Sequence, residues 1–454
     1  MSVMNHFKPV FNIMPQSLQI LWRRVETSPL GLRMVHGAFW SIGGAVISRG
    51  LMLVASILIA RMLGREIYGE YGMIRSTLNM FLVFAGFGLG MTATKHVAEC
   101  RTTDPDRAGR ILAISGLFAI GTGALVAVGL YVFAPWVAIH TINAPHLVVE
   151  LRIGAFILLL SAVNGAQTGA LAGFEAFKSI AKVNFWTGLI SFPLLVGGAY
   201  WGGLRGAVWA FAGNMSISWL LNHLTLRRET ARYNVPFSRH GCFTEWPVLW
   251  RFSLPAALSG IMVSPVLWSC SALLVNQPGG YGQMGLFDAA NQWRMAILFI
   301  PGMVGQIVLP MLSNLNGLDD QVKYKKVLKY NALIAGGVAL AVALPVVLLA
   351  PNIMRSYGPG FEDGTFALVL FAISTVLISL NNVVGQAIAS KGRMWIGLMF
   401  NFMWAIILLS FSYYYINKGY GVNGLAISSL IAYLFHSIWQ TIYVWKLIRI
   451  KVEI

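Results

Sequence analysis

Charge is scarce in this chain: of its 454 residues only 11% are Asp, Glu, Lys or Arg, whereas a soluble globular domain carries about 25%. With 57% of the residues hydrophobic, so little charge cannot clothe a surface in water, and a soluble globule is excluded. Acidic residues are the scarcest, 16 against 33 Lys and Arg, for a formal net charge of +17. In a soluble protein that balance would suggest nucleic acid. In a polytopic membrane protein the excess gathers in cytoplasmic loops, sets orientation and faces anionic lipid, so no nucleic-acid partner is expected. Cysteine is nearly missing, and Cys100, Cys242 and Cys270 show no paired spacing, which leaves neither a disulfide framework nor a zinc site. The eight histidines do not cluster at metal-ligand spacing. A Walker motif is also lacking, so direct use of ATP is not expected, and no cofactor is implied.

What the chain has in abundance is apolar runs. A crossing needs roughly 20 apolar residues, and runs of that length number about twelve. In the first half they fall near 36–60, 72–94, 110–133, 151–173, 183–201 and 206–225. In the second half they fall near 252–275, 286–311, 331–350, 365–389, 395–416 and 424–445. The expected fold class is therefore an all-α polytopic membrane protein with about twelve transmembrane helices. Its organisation reads as an N-terminal segment (1–35), an N-lobe (36–225), an inter-lobe linker (226–251), a C-lobe (252–445) and a tail (446–454). The N-terminal segment carries Lys8, Arg23, Arg24 and Arg33 broken by Pro9, Pro15 and Pro29. It lacks the apolar core and cleavage site of a signal peptide and is expected to stay, as an interfacial segment.

Charge asymmetry orients these spans. Alternate loops hold Lys95, Arg101, Arg107 and Arg110; Lys178 and Lys182; Arg227, Arg228, Arg232, Arg239 and Arg251; Lys323, Lys325, Lys326 and Lys329; and Lys391 and Arg393. The tail adds Lys446, Arg449 and Lys451, while the opposite loops hold little beyond Arg61, Arg65, Arg205, Arg355 and Lys418. The positive-inside rule then places both termini in the cytoplasm.

The halves repeat one another. Tyr68-Gly-Glu-Tyr-Gly-Met-Ile-Arg75 after the first span matches Tyr281-Gly-Gln-Met-Gly-Leu-Phe-Asp288 after the seventh. Likewise Gly203-Leu-Arg-Gly-Ala-Val-Trp-Ala210 before the sixth matches Gly421-Val-Asn-Gly-Leu-Ala-Ile-Ser428 before the twelfth. Repeats of six spans enter the membrane in the same sense, the plan of many secondary transporters whose substrate path lies between the halves.

Ser48-Arg49-Gly-Leu, then Ala60-Arg61-Met-Leu-Gly64 and Tyr68-Gly-Glu-Tyr-Gly72, resembles the opening of the polysaccharide and oligosaccharide flippases of the multidrug/oligosaccharidyl-lipid/polysaccharide exporter superfamily. Gly86-Phe-Gly-Leu-Gly90 leading to Lys95-His-Val-Ala-Glu99, and Leu309-Pro-Met-Leu-Ser313, extend the resemblance over about residues 35–445. It implies export of an undecaprenyl-diphosphate-linked oligosaccharide, an O-antigen, capsule or exopolysaccharide unit, from the inner to the outer leaflet of a bacterial cytoplasmic membrane. It also implies as partners that lipid-linked oligosaccharide, membrane lipids, and the polysaccharide polymerase and chain-length machinery. Alternatives remain open at this point: a polymerase- or ligase-type membrane enzyme, a drug or cation antiporter, or a lipid II flippase of the same superfamily.

Arg49, Arg75 and Arg294 interrupt apolar spans, where a charge costs at least ~2.5 kcal/mol and usually faces a polar cavity. Arginine's fork of donors suits phosphate, so these side chains are expected to bind the diphosphate between the lobes. Arg75 and Arg294 lie near enough to span ends to snorkel instead. Lys95 either touches the phosphate from the inner side or anchors in the inner leaflet. Asp288, at the duplicated position of Arg75, either accepts a coupling ion or, the favoured reading, pairs with an arginine across the lobes.

Overall fold

The computed structural model describes residues 29–236, 241–253, 262–317 and 321–449, and the regular structure in them is helical. Most of the predicted N-terminal segment, the end of the tail and the start of the predicted seventh span lie outside the described residues. Among the described residues five α-helices precede the central linker: α1 Pro29–Gly86, α2 Leu89–Cys100, α3 Pro105–Trp136, α4 Val148–Gly173 and α5 Phe177–Arg232. Seven follow it: α6 Val263–Val275, α7 Gly280–Gly317, α8 Gln321–Leu348, α9 Ala350–Ser356, α10 Thr365–Ser390, α11 Met394–Tyr415 and α12 Gly421–Arg449.

Seven helical segments among the described residues are long and apolar enough to cross a membrane, so the chain is an all-helical membrane protein. Three of them, Val46–Gly86, Phe177–Arg232 and Trp395–Lys446, run to 41, 56 and 52 residues. A straight helix of the second length would span about 84 Å, against a hydrocarbon core of about 30 Å. Glycine breaks resolve the mismatch. α1 breaks at Gly64 (φ 76°, ψ 171°) and α5 at Gly203 (φ 56°, ψ −137°), and α12 opens at Gly421 (φ 51°, ψ −132°). Gly203 and Gly421 are the duplicated positions of the sequence, and their near-identical left-handed geometry is open only to a residue without a β-carbon. Beyond the Gly203 turn the arms of α5 lie against each other, since a β-carbon on Gly206 would overlap the Gly198 carbonyl.

Two predicted boundaries move. The span expected over 72–94 is interrupted at Phe87 and Gly88 (φ 43° and 66°), which separates α2 from α1. The linker expected from 226 begins as helix, because α5 runs on to Arg232. The linker then forms short turns over Cys242–Ser253 packed on the first half. Cys242 and Leu249 are buried there with Leu89 and Ile114, and the Trp246 ring meets Phe118 edge-on at 5.4 Å. Glu245 accepts from Arg107 Nε (3.3 Å) and Arg110 Nη2 (3.5 Å), a hydrogen bond that raises Arg107 above its usual range. α3 starts there for local reasons: the Asp104 side chain caps the Arg107 N–H at 2.9 Å, and Pro105 occupies the first turn, where its missing N–H costs nothing.

The two halves meet where α1 packs on α6 and α7, and they are in direct contact at the end carrying the Gly64 and Gly279 turns. Close backbone approach is built in reciprocally. A β-carbon on Gly69 would overlap the Tyr281 carbonyl, and one on Gly285 the Arg65 carbonyl. Each half also reaches across to a loop of the other. Arg65 donates to the Gly360 carbonyl (3.0 Å) and to Asp363 (2.7 Å), and Tyr68 packs on Tyr357 and Phe361. In return Tyr281 Oη donates to the Ile142 carbonyl (2.8 Å) and Asn276 Nδ2 to that of Thr141 (2.8 Å). This turn end is latched from both sides.

Candidate functional site

Below the latch lies a polar cluster on the seam. The first arm of α1 carries Arg49, 15 residues before the Gly64 break, or about 22 Å of helix. The second arm carries Arg75, 11 residues after the same break, so the chain folds back and sets the two arginines within about 6 Å of the same depth. A β-carbon on Gly188 would overlap the Ser48 side chain, so α5 lies directly against the residue beside Arg49 and fixes that part of the arm. Arg49 is half-buried, and its Nε, shielded from solvent, has no hydrogen-bond partner among the described residues.

Arg75 does have partners, and they come from the other half. Its Nη1 donates to Asp288 Oδ2 over 3.4 Å, with the carboxylate side chain 7% exposed and the guanidinium 28%. The Gln292 amide, with its oxygen turned toward the guanidinium, accepts from Nη1 and Nη2 at 2.8 and 3.0 Å. Tyr71, one turn before Arg75, places its ring 5.6 Å from the guanidinium carbon. Gly72 makes room for this bridge, since a β-carbon there would meet the Asp288 side chain at 3.0 Å. One turn further along, Trp268 Nε1 donates to Thr77 Oγ1 at 3.0 Å, again from half to half.

The remaining predicted residues lie elsewhere. Arg294 sits about 21 Å along α7 from Gly280, the same depth as Arg49. It is 6% exposed and enclosed in the second half, 5.9 Å from the Phe371 ring, with Tyr433 of α12 nearby. At that depth it cannot snorkel to a headgroup, and its buried Nε also has no partner among the described residues. Lys95 is exposed on α2, toward the linker end. The fold thus brings Arg49, Arg75 and Asp288 together and leaves Arg294 and Lys95 apart from them. Sequence reasoning missed Gln292 and Tyr71. Each stands four residues from a charged member, Asp288 and Arg75, on the same helical face, and that spacing was the available signal.

Chemically the cluster is a cation of about one net charge. Asp288 bridges Arg75 alone, and Arg49 stands on the adjoining arm, on an apolar seam where low dielectric magnifies both repulsion and attraction. An anion with several oxygens would satisfy the vacant Arg49 donor and relieve the repulsion.

The chain is 26% identical over 407 residues to the EPS I polysaccharide export inner membrane protein EpsE of Ralstonia nicotianae, covering 88% of this chain and 91% of that protein. It is 22% identical over 346 residues to a protein named as an O-antigen transporter in Escherichia coli, covering 74% and 78%. Both are named for export or transport, so the reading as a polymerase or ligase is set aside. In fold it resembles an inward-facing multidrug resistance MATE family transporter of the MOP superfamily (TM-score 0.70, 17% identity, 90% of this chain and 98% of that one). Residues 34–316 match the family described as polysaccharide biosynthesis protein, and the chain belongs to that family.

Proposed function

We propose that this protein is a flippase that carries an undecaprenyl-diphosphate-linked oligosaccharide from the inner to the outer leaflet of a bacterial cytoplasmic membrane by alternating access. The chain crosses twelve times, as two pseudo-symmetric lobes of six spans, with both termini in the cytoplasm. The bent segments supply two crossings each. The latched turn end then faces outward and the linker end inward, so the substrate enters from the cytoplasmic side.

One observation carries this reading: Arg49 and Arg75 stand at similar depth on the two arms of α1, and among the described residues Asp288 alone forms an ion pair with either of them. A diphosphate offers clustered anionic oxygens to arginine forks. In occupying Arg75 it competes with Asp288, and losing that bridge loosens the latch above it. Lys95 meets the headgroup first, at the inner approach. Arg294 enters the path in a later state, when α7 has moved off Phe371. Outward movement of an anion runs with an inside-negative potential, at about 2.3 kcal/mol per charge per 100 mV.

The test is Arg49→Ala, which should abolish glycan export while protein levels in the membrane stay normal. Arg49→Lys should restore it only in part, since lysine keeps the charge and loses the fork. Normal export by the alanine variant would remove Arg49 from the path and with it this reading.

A further inference from the structure

Resting on the reading above, we infer that a crevice inside the first half is the seat of the glycan, and that it decides which sugar the protein accepts. The crevice, of about 570 Å³, lies between the second arm of α1, α4 and the second arm of α5. That is within the range of ligand clefts, roughly 300–1,000 Å³. Its mouth lies beside the charged cluster, since Asn79 follows Arg75 by four residues on the same side of the arm. A headgroup phosphate on Arg75 therefore delivers the first sugar to Asn79.

The lining has the chemistry of carbohydrate recognition. Asn79, Ser161 and Asn164 supply amides and a hydroxyl, Phe211 and Met215 supply apolar faces, and Gly165 leaves open floor. Asn79 and Ser161 have no hydrogen-bond partner among the described residues. Asn164 is held in place from α5, donating to Ser218 Oγ (3.1 Å) and accepting from Asn222 Nδ2 (2.6 Å). That leaves it one N–H and one lone pair to offer. Among the described residues no carboxylate or cation lines the space, so its ligand is neutral and bears hydroxyls, which disfavours a metal ion or a charged drug.

The second half provides a control. The crevice ends where α2 meets α4: a β-carbon on Gly169 would overlap the Gly90 carbonyl, and Thr94 Oγ1 donates to the Gly169 carbonyl at 2.9 Å. A close helix contact of the second half joins Gly305 of α7 and Gln386 of α10. There the Gln386 side chain lies over Gly305 and accepts from Asn331 at 3.1 Å. Two glycines thus meet in the first half, whereas an amide side chain covers the glycine in the second.

Gly165→Leu tests the idea with little risk to folding, because a β-carbon there meets nothing within 4 Å and leucine is a better helix former than glycine. The full-length protein in detergent would be titrated with two probes, followed by tryptophan fluorescence. One is undecaprenyl diphosphate. The other is the lipid-linked oligosaccharide that accumulates in source cells lacking this exporter. The wild type should bind the glycosylated lipid at least tenfold more tightly. Gly165→Leu and Asn79→Ala should erase that preference and bind both probes equally, whereas Arg49→Ala should weaken both together. A preserved preference in Gly165→Leu and Asn79→Ala would overturn the crevice while leaving the flippase reading intact. Failure of the wild type to bind either lipid would overturn both.

Discussion

The two halves turn alike at a pair of glycines and differ in chemistry. Gly203 and Gly421 turn at the same angles, and at the Gly64 and Gly279 turns each half clasps a loop of the other. At one paired position of the repeat, however, Arg75 faces Asp288, and while two glycines meet at Gly90 and Gly169 in the first half, a glycine meets an amide side chain at Gly305 and Gln386 in the second. Duplication has kept glycines that permit turns and close approach, while the charged residues on the seam have diverged. The charges on the seam are therefore unequal, with the arginines and the crevice in the first half and the carboxylate in the second.

Reversing one charge should break the comparison most severely. Arg75→Asp sets two carboxylates against each other on an apolar seam and removes a phosphate donor. Losing one member of a buried pair typically costs about 3–5 kcal/mol. Export should vanish and the melting temperature should fall. The double exchange Arg75→Asp with Asp288→Arg rebuilds the bridge with its polarity inverted, and should recover stability with only part of the transport. Full transport in the double variant would mean that the half on which the arginine sits is irrelevant.

The shared frame predicts equal responses. Gly69→Ala and Gly285→Ala each drive a β-carbon into a carbonyl of the opposite half, with an overpacking cost of roughly 1–3 kcal/mol. Both should favour the state with the turn end open. Ser56→Cys reports this, because Ser56 is buried against the Tyr357 hydroxyl at 3.2 Å. A membrane-impermeant maleimide should label it faster in either glycine variant. Background will be low, since Cys100, Cys242 and Cys270 are all buried and burial pushes the Cys100 thiol up, away from the reactive thiolate. Unequal labelling in the two variants would show that the halves do not contribute alike to the latch.

The bridge itself should have a smaller effect. Asp288→Asn keeps the size and a hydrogen-bond acceptor for Arg75 but gives up the charge, so the latch loosens while phosphate meets less competition. Export should slow several-fold without stopping, and collapsing the membrane potential in proteoliposomes should slow it further. A complete loss in the asparagine variant would make the carboxylate an obligatory ion carrier.

Much of the frame was legible in the sequence. Hydropathy placed the apolar runs, and the Tyr68/Tyr281 and Gly203/Gly421 pairs exposed a repeat that the backbone angles reproduce. The break at Phe87–Gly88 was not legible, because the apolar run continues through it and hydropathy carries no information about φ. Charge marked Arg49, Arg75, Arg294 and Asp288 as costly in a span, but not which of them meet. Arg294 ends among Phe371 and Tyr433 because of how α7, α10 and α12 pack, which no local pattern encodes. The crevice was the least visible of all. Asn79, Ser161 and Asn164 are uncharged, come from distant positions, and mean nothing until α1 and α4 lie side by side.

The smallest expected effect concerns the two clasps of the latch. Arg65 holds the second half through three acceptors, the Gly282 carbonyl (3.1 Å), the Gly360 carbonyl (3.0 Å) and Asp363 (2.7 Å). Asp363 is 62% exposed, so solvent and salt screen that pair, and such pairs contribute about 0–1 kcal/mol. Asp363→Asn should therefore leave the melting temperature and Ser56→Cys labelling nearly unchanged, with any difference vanishing in high salt. Arg65→Ala should do more, because it abandons both carbonyls as well as the ion pair. On the opposite clasp, Tyr281→Phe removes one hydrogen bond to Ile142 and leaves the ring in place, at a cost of about 0.5–1.5 kcal/mol. Labelling of Ser56→Cys should then rank Arg65→Ala above Tyr281→Phe, and Tyr281→Phe above Asp363→Asn. If Asp363→Asn instead opened the seam as far as Arg65→Ala, the outer clasp would be electrostatic, and the backbone carbonyls would add little to it.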